Sequence, residues 1–215
     1  MQMIIVDYGL GNLYNLSNAF RYCGQEVRIG HDAQALLDAD ALILPGVGAF
    51  GDGMARLVGL GLDDAIRRFA HNGGPILGIC LGMQLLMDWS EEFGFHKGLG
   101  LIKGGVKHLQ RLEGFDLTAK VPHIGWNDIH LQQDSRFLEQ ILIRDMYFVH
   151  SYCAIPLNSL ETLATVTYGN ADFAAVIGKG KIVGCQFHPE KSSASGIQIV
   201  KNFIDVVQEE INGRS

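Results

Sequence analysis

No apolar run in this chain approaches the ~20 residues that a membrane-spanning helix needs. The opening stretch MQMIIVDYGLGN has no basic flank and reaches Asp7 after a few apolar residues, so a signal peptide is not expected. Cysteine is scarce. Cys23, Cys80, Cys153 and Cys185 are the four present, and none forms a C-x-x-C pair, which leaves zinc and thioredoxin-like readings without support. A cytoplasmic protein with reduced thiols is the simplest expectation. Positive charge is also in short supply: 17 Lys and Arg stand against 23 Asp and Glu, and the formal net charge is −6. That balance disfavours a nucleic-acid backbone as the main partner. No G-x-x-x-x-G-K-[ST] stretch is present, which speaks against a phosphate-binding module. Charge blocks, repeats, low-complexity segments and long linkers are absent as well.

What is there is an ordinary globular composition, 47% apolar and 19% charged over 215 residues, enough for one substantial core. One domain spanning 1–215 is expected. The first half alternates strand and helix signals. MIIVDYG, EVRIG, ALIL and PILGI read as short buried strands, and NLYNLSNAFRYCG and LDDAIRRFAHNGG read as helices stopped by glycine. LGMQLLMDWSEE reads as a further helix. The second half is mostly strands: VPHIGWNDIHL, MYFVHSYCA, TLATVTYGN, and FAAVIGKGKIVGCQFHPE, with a hairpin turning at Gly178 to Gly180. A last helix from about Ser193 carries Ile197, Val200, Phe203, Ile204 and Val207 on one face. The expected fold is α/β: a mostly parallel central sheet with helices on both faces and an added antiparallel strand set.

Within this frame, GICLGMQLLM holds a cysteine fenced by Gly78 and Gly82 between a strand and a helical run. A sharp strand-to-helix turn needs small neighbours around its apex and lifts the apex side chain into the open, the thiol form of a nucleophile elbow. A helix start favours the thiolate of a cysteine placed there. Against this stands the commoner fate of cysteine, an inert place in the core.

Three other loops follow strands and would gather with Cys80 where parallel strands end. In PGVG, Pro45 to Gly48, the glycines would let backbone N–H groups approach a substrate oxygen, although the stretch alone is also an ordinary turn. HSY, His150 to Tyr152, follows another strand. In FHPE, His188 and Glu190 are two apart on an extended segment and share a face, which sets a carboxylate beside an imidazole. Cys80, His188 and Glu190 would complete a thiol triad. His31, His71, His96, His108 and His130 stand in polar contexts and are expected to be solvated. His123 and His150 are better candidates for a site rim or interface. Trp126 reads as core or as an exposed anchor, and Lys191 by default as a surface lysine.

Taken in order, PGVGAF, GICLGMQLL, YFVHSY and FHPEKS resemble the triad (class I) glutamine amidotransferases, along nearly the whole chain. DYGLGNLYNL and PHIGWN narrow the resemblance to the subfamily of glutaminase subunits of imidazole glycerol phosphate synthases. The resemblance implies Cys80 as nucleophile, His188 as acid/base and Glu190 as its orienting carboxylate. It implies an oxyanion hole from Val47, Gly48 and Leu81, and glutamine-binding positions at Gly46, Gly48, Gln84, Glu92, Ser151 and Tyr152. Glu92 would hold the substrate ammonium, and Ser151 and Tyr152 its carboxylate. Asn12, Ile124, Trp126, Tyr147 and Lys191 would face a (β/α)-barrel cyclase subunit in a heterodimer that receives the ammonia. Ile124 stands where the family commonly has methionine, and Cys153 where it often has another residue. Neither a metal nor an organic cofactor is implied. Other readings stay open at this point: a paralogous subunit supplying ammonia for surface-polysaccharide sugars, a stand-alone thiol γ-glutamyl hydrolase, and a non-catalytic module that keeps the fold.

Overall fold

The computed structural model describes residues 1–142 and 144–213. The first half holds β1 (Met3–Val6), α1 (Leu13–Tyr22), β2 (Val27–Gly30), α2 (Ala33–Leu37), β3 (Ala41–Leu44), α3 (Phe50–Gly59), α4 (Leu62–His71) and β4 (Ile76–Ile79); the four strands, α1 and α4 lie where the periodicity predicts, and α2 and α3 are helices the sequence reading does not name. Then come α5 (Leu81–Leu85), β5 (Met87–Ser90), β6 (His96–Lys97), β7 (Ile102–His108), β8 (His123–Leu131), β9 (Asp145–His150), β10 (Tyr152–Pro156), β11 (Thr162–Tyr168), β12 (Ala171–Lys179), β13 (Ile182–Cys185) and α6 (Ser193–Gly213).

MIIV, ALIL and ILGI are buried at every position, as strands covered on both faces must be. Their alternation divides two cores. Met3, Ile5, Ile43, Leu77 and Ile79 pack with Leu16 and Phe20 of α1 and with Val200 and Phe203 of α6. Ile4, Val6, Leu42, Leu44 and Ile76 pack on the opposite face with Leu36, Leu57, Ile66 and Phe69 of α2 to α4. Helix α1 begins where the Asn12 side chain accepts from Asn15 N at 3.1 Å.

Among the described residues, nine strands form the main sheet in the order β2-β1-β3-β4-β13-β12-β11-β8-β9. From β2 through β13 all neighbours are parallel, and from β13 through β9 all are antiparallel. Four antiparallel steps from β13 return β9 to the direction of β13. The carboxyl ends of β3, β4, β13 and β9 therefore lie along one edge, and each is followed by one of the four loops singled out in the sequence. A second, four-stranded sheet, β10-β7-β5-β6, covers part of the α5 side.

Three of the expected elements take a different form. The helix after Cys80 is a single short stretch, α5, and MDWS is strand rather than helix. The Leu86 carbonyl accepts from Leu101 N and Ile102 N at 2.9 and 3.1 Å. That pairing diverts the chain into β5, where Trp89 covers Gly105. MYFVHSYCA is two strands in two sheets, separated at Ser151. The β12–β13 hairpin turns later than expected: Gly178 is still paired with Val183, and the chain reverses at Gly180, φ +59°.

Candidate active site

Cys80 occupies the turn between β4 and α5 with φ 54° and ψ −111°, a conformation that non-glycine residues rarely adopt and that a surrounding structure must enforce. The enforcement is visible. Cys80 N donates to Cys185 O on β13 at 2.8 Å. A Cβ on Gly78 would lie 2.8 Å from Met83 N, and one on Gly82 would collide with the Leu44 carbonyl. Both fence glycines are thus required by close backbone approach, which answers why the cysteine is flanked in this way. Cys80 is buried but opens onto a cleft of about 470 Å³.

His188 and Glu190 arrive from the segment after β13. His188 Nδ1 lies 2.9 Å from Glu190 Oε1, and both side chains are buried. The segment is latched to β9: His188 N donates to Tyr147 O at 3.0 Å, and the Ser192 hydroxyl donates to His188 O at 2.7 Å while accepting from Tyr147 N at 3.0 Å. His188 Nε2 is buried without a partner of good geometry, yet Cys80 is close enough to act on it. Burial opposes the imidazolium, but the Cys80 sulfur and the Glu190 carboxylate outweigh it and push the His188 pKa up to about 10.

Val47, Gly48, Leu81, Gln84, Glu92, Ser151, Tyr152 and His188 line the cleft together with Cys80. Gly48 has φ +102°, a left-handed conformation that glycine adopts without strain. Gly46 lies behind the loop, buried against Tyr8 and Leu81. The Tyr8 hydroxyl donates to Pro45 O at 2.5 Å and anchors the loop from below. Burial, reinforced by Cys80, pushes the Tyr8 phenol well above its usual range. Glu92 Oε2 accepts from Phe50 N at 2.7 Å, and burial raises the Glu92 carboxyl despite that bond. An ammonium arriving there would meet a carboxylate held in place by backbone.

Of the residues expected at a partner face, four are contiguous. Ile124 and Trp126 project from one side of β8 and are 60% and 48% exposed. Trp126 pairs with Tyr147 of β9 and meets its ring edge-on at 5.9 Å, and Lys191 Nζ lies 5.9 Å from the same ring. Asn12 is exposed and caps α1.

Sequence reasoning missed several residues. His123, expected at a site rim or interface, is instead buried and bonded to His150, whereas His150, buried as well, does line the cleft. His108, expected to be solvated, also lines the cleft and meets the Tyr152 ring edge-on. Tyr8, Ser192 and the fully buried Gln186 make contacts with distant parts of the chain, for which residue type carries no signal.

The chain is similar to known proteins over nearly its whole length. Imidazole glycerol phosphate synthase subunit HisH of Geobacillus kaustophilus (strain HTA426) is 44% identical over 209 residues, covering 97% of this chain and 99% of that protein. The protein of that name from Aquifex aeolicus (strain VF5) is 43% identical over 205 residues, covering 94% and 96%. Among solved structures, a glutamine amidotransferase superposes with TM-score 0.73 at 18% identity, covering 95% of this chain and 98% of that one. The glutaminase domain of Trypanosoma brucei CTPS superposes with TM-score 0.67 at 16% identity, covering 97% and 94%. At these identities the superpositions speak for the fold alone. Residues 4–206 match the family model described as glutamine amidotransferase class-I, and the chain belongs to that family.

Proposed function

We propose that the chain is the glutaminase subunit of an imidazole glycerol phosphate synthase, hydrolysing glutamine to glutamate and ammonia and passing the ammonia to a cyclase subunit in histidine biosynthesis. The observation that carries the chemistry is a strained cysteine on a cleft floor beside a buried His–Glu pair. The relatives that are 42–44% identical over nearly their full length support the pathway.

In this reading the Cys80 thiolate attacks the side-chain amide carbon of glutamine. The developing oxyanion accepts from Leu81 N–H, which has no partner within its own helix because it opens α5, and from the Val47–Gly48 backbone. One such donor is worth on the order of 3 kcal/mol in the transition state. His188, held protonated by its partners, gives a proton to the departing ammonia. It then takes one from the water that attacks the thioester, and glutamate leaves. Glu190 keeps the imidazole in the tautomer with Nδ1 protonated. Glu92 would receive the substrate ammonium, and Gly48, Gln84, Ser151 and Tyr152 the rest of the glutamine backbone and amide.

Ile124, Trp126, Tyr147 and Lys191 would form the face toward a (β/α)-barrel cyclase in a cytoplasmic heterodimer, with Asn12 at its margin. Among the described residues, no helix is long and apolar enough to cross a membrane. The test is glutamate release by the chain alone, with the histidine-pathway cyclase, and with the cyclase plus its nucleotide ligand. Stimulation by cyclase and ligand is expected. Stimulation only by a synthase acting on a sugar would overturn the pathway assignment and leave the glutaminase chemistry standing.

A further inference from the structure

Gln186 is completely buried directly after β13, and its side-chain amide points at the nucleophile: Nε2 lies 3.9 Å from Cys80 Sγ. Its orientation is determined by a second amide. Gln84 Nε2 donates to Tyr152 O at 2.9 Å and to Gln186 Oε1 at 3.0 Å, so both of its N–H groups are used. Tyr152 O is a backbone carbonyl and can only accept. It also accepts from His150 Nδ1 at 2.8 Å. Reversing the Gln84 amide would set carbonyl against carbonyl at Tyr152 O, and with Gln84 fixed in this way, reversing Gln186 would set N–H against N–H and an oxygen against the sulfur. The network has one assignment, and it ends with an N–H directed at Cys80.

We propose that Gln186 is a catalytic residue of the glutaminase reaction, donating to the Cys80 sulfur as it is expelled from the glutamyl thioester, and that Gln84 is a positioning residue that aims it. This rests on the glutaminase reading above. In the first half-reaction the sulfur spends its negative charge: its electron pair forms the S–C bond, the C–N bond breaks, and ammonia leaves with the proton from His188. A donor to sulfur does not assist that step. In the second half, water adds to the thioester carbon while His188 takes its proton. The S–C bond then breaks, and the electron pair returns to sulfur as thiolate beside the His188 imidazolium. A buried N–H directed at the sulfur stabilises the charge as it develops, and a better-stabilised thiolate leaves faster.

The distinguishing experiment is steady-state glutamate release by the cyclase-bound protein, with intact-mass analysis of the working enzyme, for wild type and Gln186→Met. Methionine matches the volume and removes the donor. Slower breakdown of the thioester lowers kcat about tenfold, the value of one hydrogen bond to a charged group, and lowers KM with it, so that kcat/KM stays within about threefold of wild type. The glutamyl adduct on Cys80 accumulates. Gln186→Glu keeps an acceptor for Gln84 but turns an oxygen to the sulfur; it gives more adduct still, and carries the test if the methionine variant does not fold. A fall in kcat with KM unchanged or raised and no adduct overturns the role, as do wild-type kinetics in both variants. A wild-type complex that releases no glutamate overturns the glutaminase reading itself, and this role with it.

Discussion

His123 Nδ1 lies 3.2 Å from His150 Nε2 in the protein interior, with the His123 ring stacked between Tyr168 and Phe148. Because His150 Nδ1 must donate to Tyr152 O, the Nε2 of a neutral His150 faces His123 as an acceptor. Burial pushes the His150 pKa down to about 3, with His123 and His188 opposing its charge as well, and burial also lowers His123.

The sign of the consequence follows from linkage. Between pH 6.5, the ordinary histidine value, and about 3, the unfolded chain binds a proton at position 150 that the folded chain refuses. Stability is therefore lost as pH falls through that window. His150→Asn, which can keep the bond to Tyr152 O but does not titrate, should shift the acid unfolding midpoint to lower pH. An unchanged acid midpoint by circular dichroism would count against a buried neutral His150.

His188 has the opposite sign. Its raised pKa contributes stability that is fully present below about 6.5 and lost as pH rises through about 10. Since Cys80 is a principal support of that cation, Cys80→Ala should lower the His188 pKa, read from its ring-proton shifts in an NMR titration. A value still near 10 in the alanine variant would assign the shift to Glu190 alone.

Cys80→Ala should also reduce glutamine hydrolysis by about 10⁴-fold or more, while added ammonium salts still sustain the cyclase reaction. A glutamine-mimicking electrophile should label Cys80 and spare the other thiols. Burial pushes the Cys153 and Cys185 thiols far above their usual range and raises that of Cys23. Peptide mapping of the adduct checks this, and retained turnover in the alanine variant would remove Cys80 from the mechanism.

His188→Asn should abolish nearly all turnover, whereas Glu190→Gln should retain roughly a hundredfold more, because Glu190 orients the imidazole without exchanging protons with substrate. Equal losses in rates at saturating glutamine would mean that Glu190 does more than orient.

Lys191→Ala should leave the fold and Cys80 labelling intact and weaken stimulation by the cyclase several-fold to about tenfold, since the lysine lies on the exposed Trp126–Tyr147 face. Its motive includes a gate: the glycines of PGVG allow a peptide flip at small steric cost, so a resting loop could aim a carbonyl at the oxyanion position until the partner docks. Full activity of the isolated chain, unchanged by the partner, would exclude such a gate.

The grouping of Cys80, His188 and Glu190 was legible because these residues are close in sequence or marked by backbone demands. His188 and Glu190 are two residues apart, and Cys80 is announced by glycines that steric contact requires. The helical apolar spacing of MQLLMDWS predicts a longer helix after Cys80 than the structure holds. A long-range bond from Ile102 to Leu86 overrides that spacing, and local pattern does not encode the strand that captures the chain.

By itself the sequence determined the buried parallel strands, the elbow, the nearness of His188 to Glu190 and the family, since each depends on residue type and short spacing: apolar runs bury, glycine admits close backbone, and i, i+2 residues share a face. Tertiary structure alone decided that β9 ends on the same edge as β4 and β13, that His150 and His123 bond in the interior, and that Gln84 turns the Gln186 amide onto Cys80. Those contacts join positions 27 to 106 residues apart. The direction of a side-chain amide in such a network is set by which groups can only accept, and that is known once folding has brought them within reach.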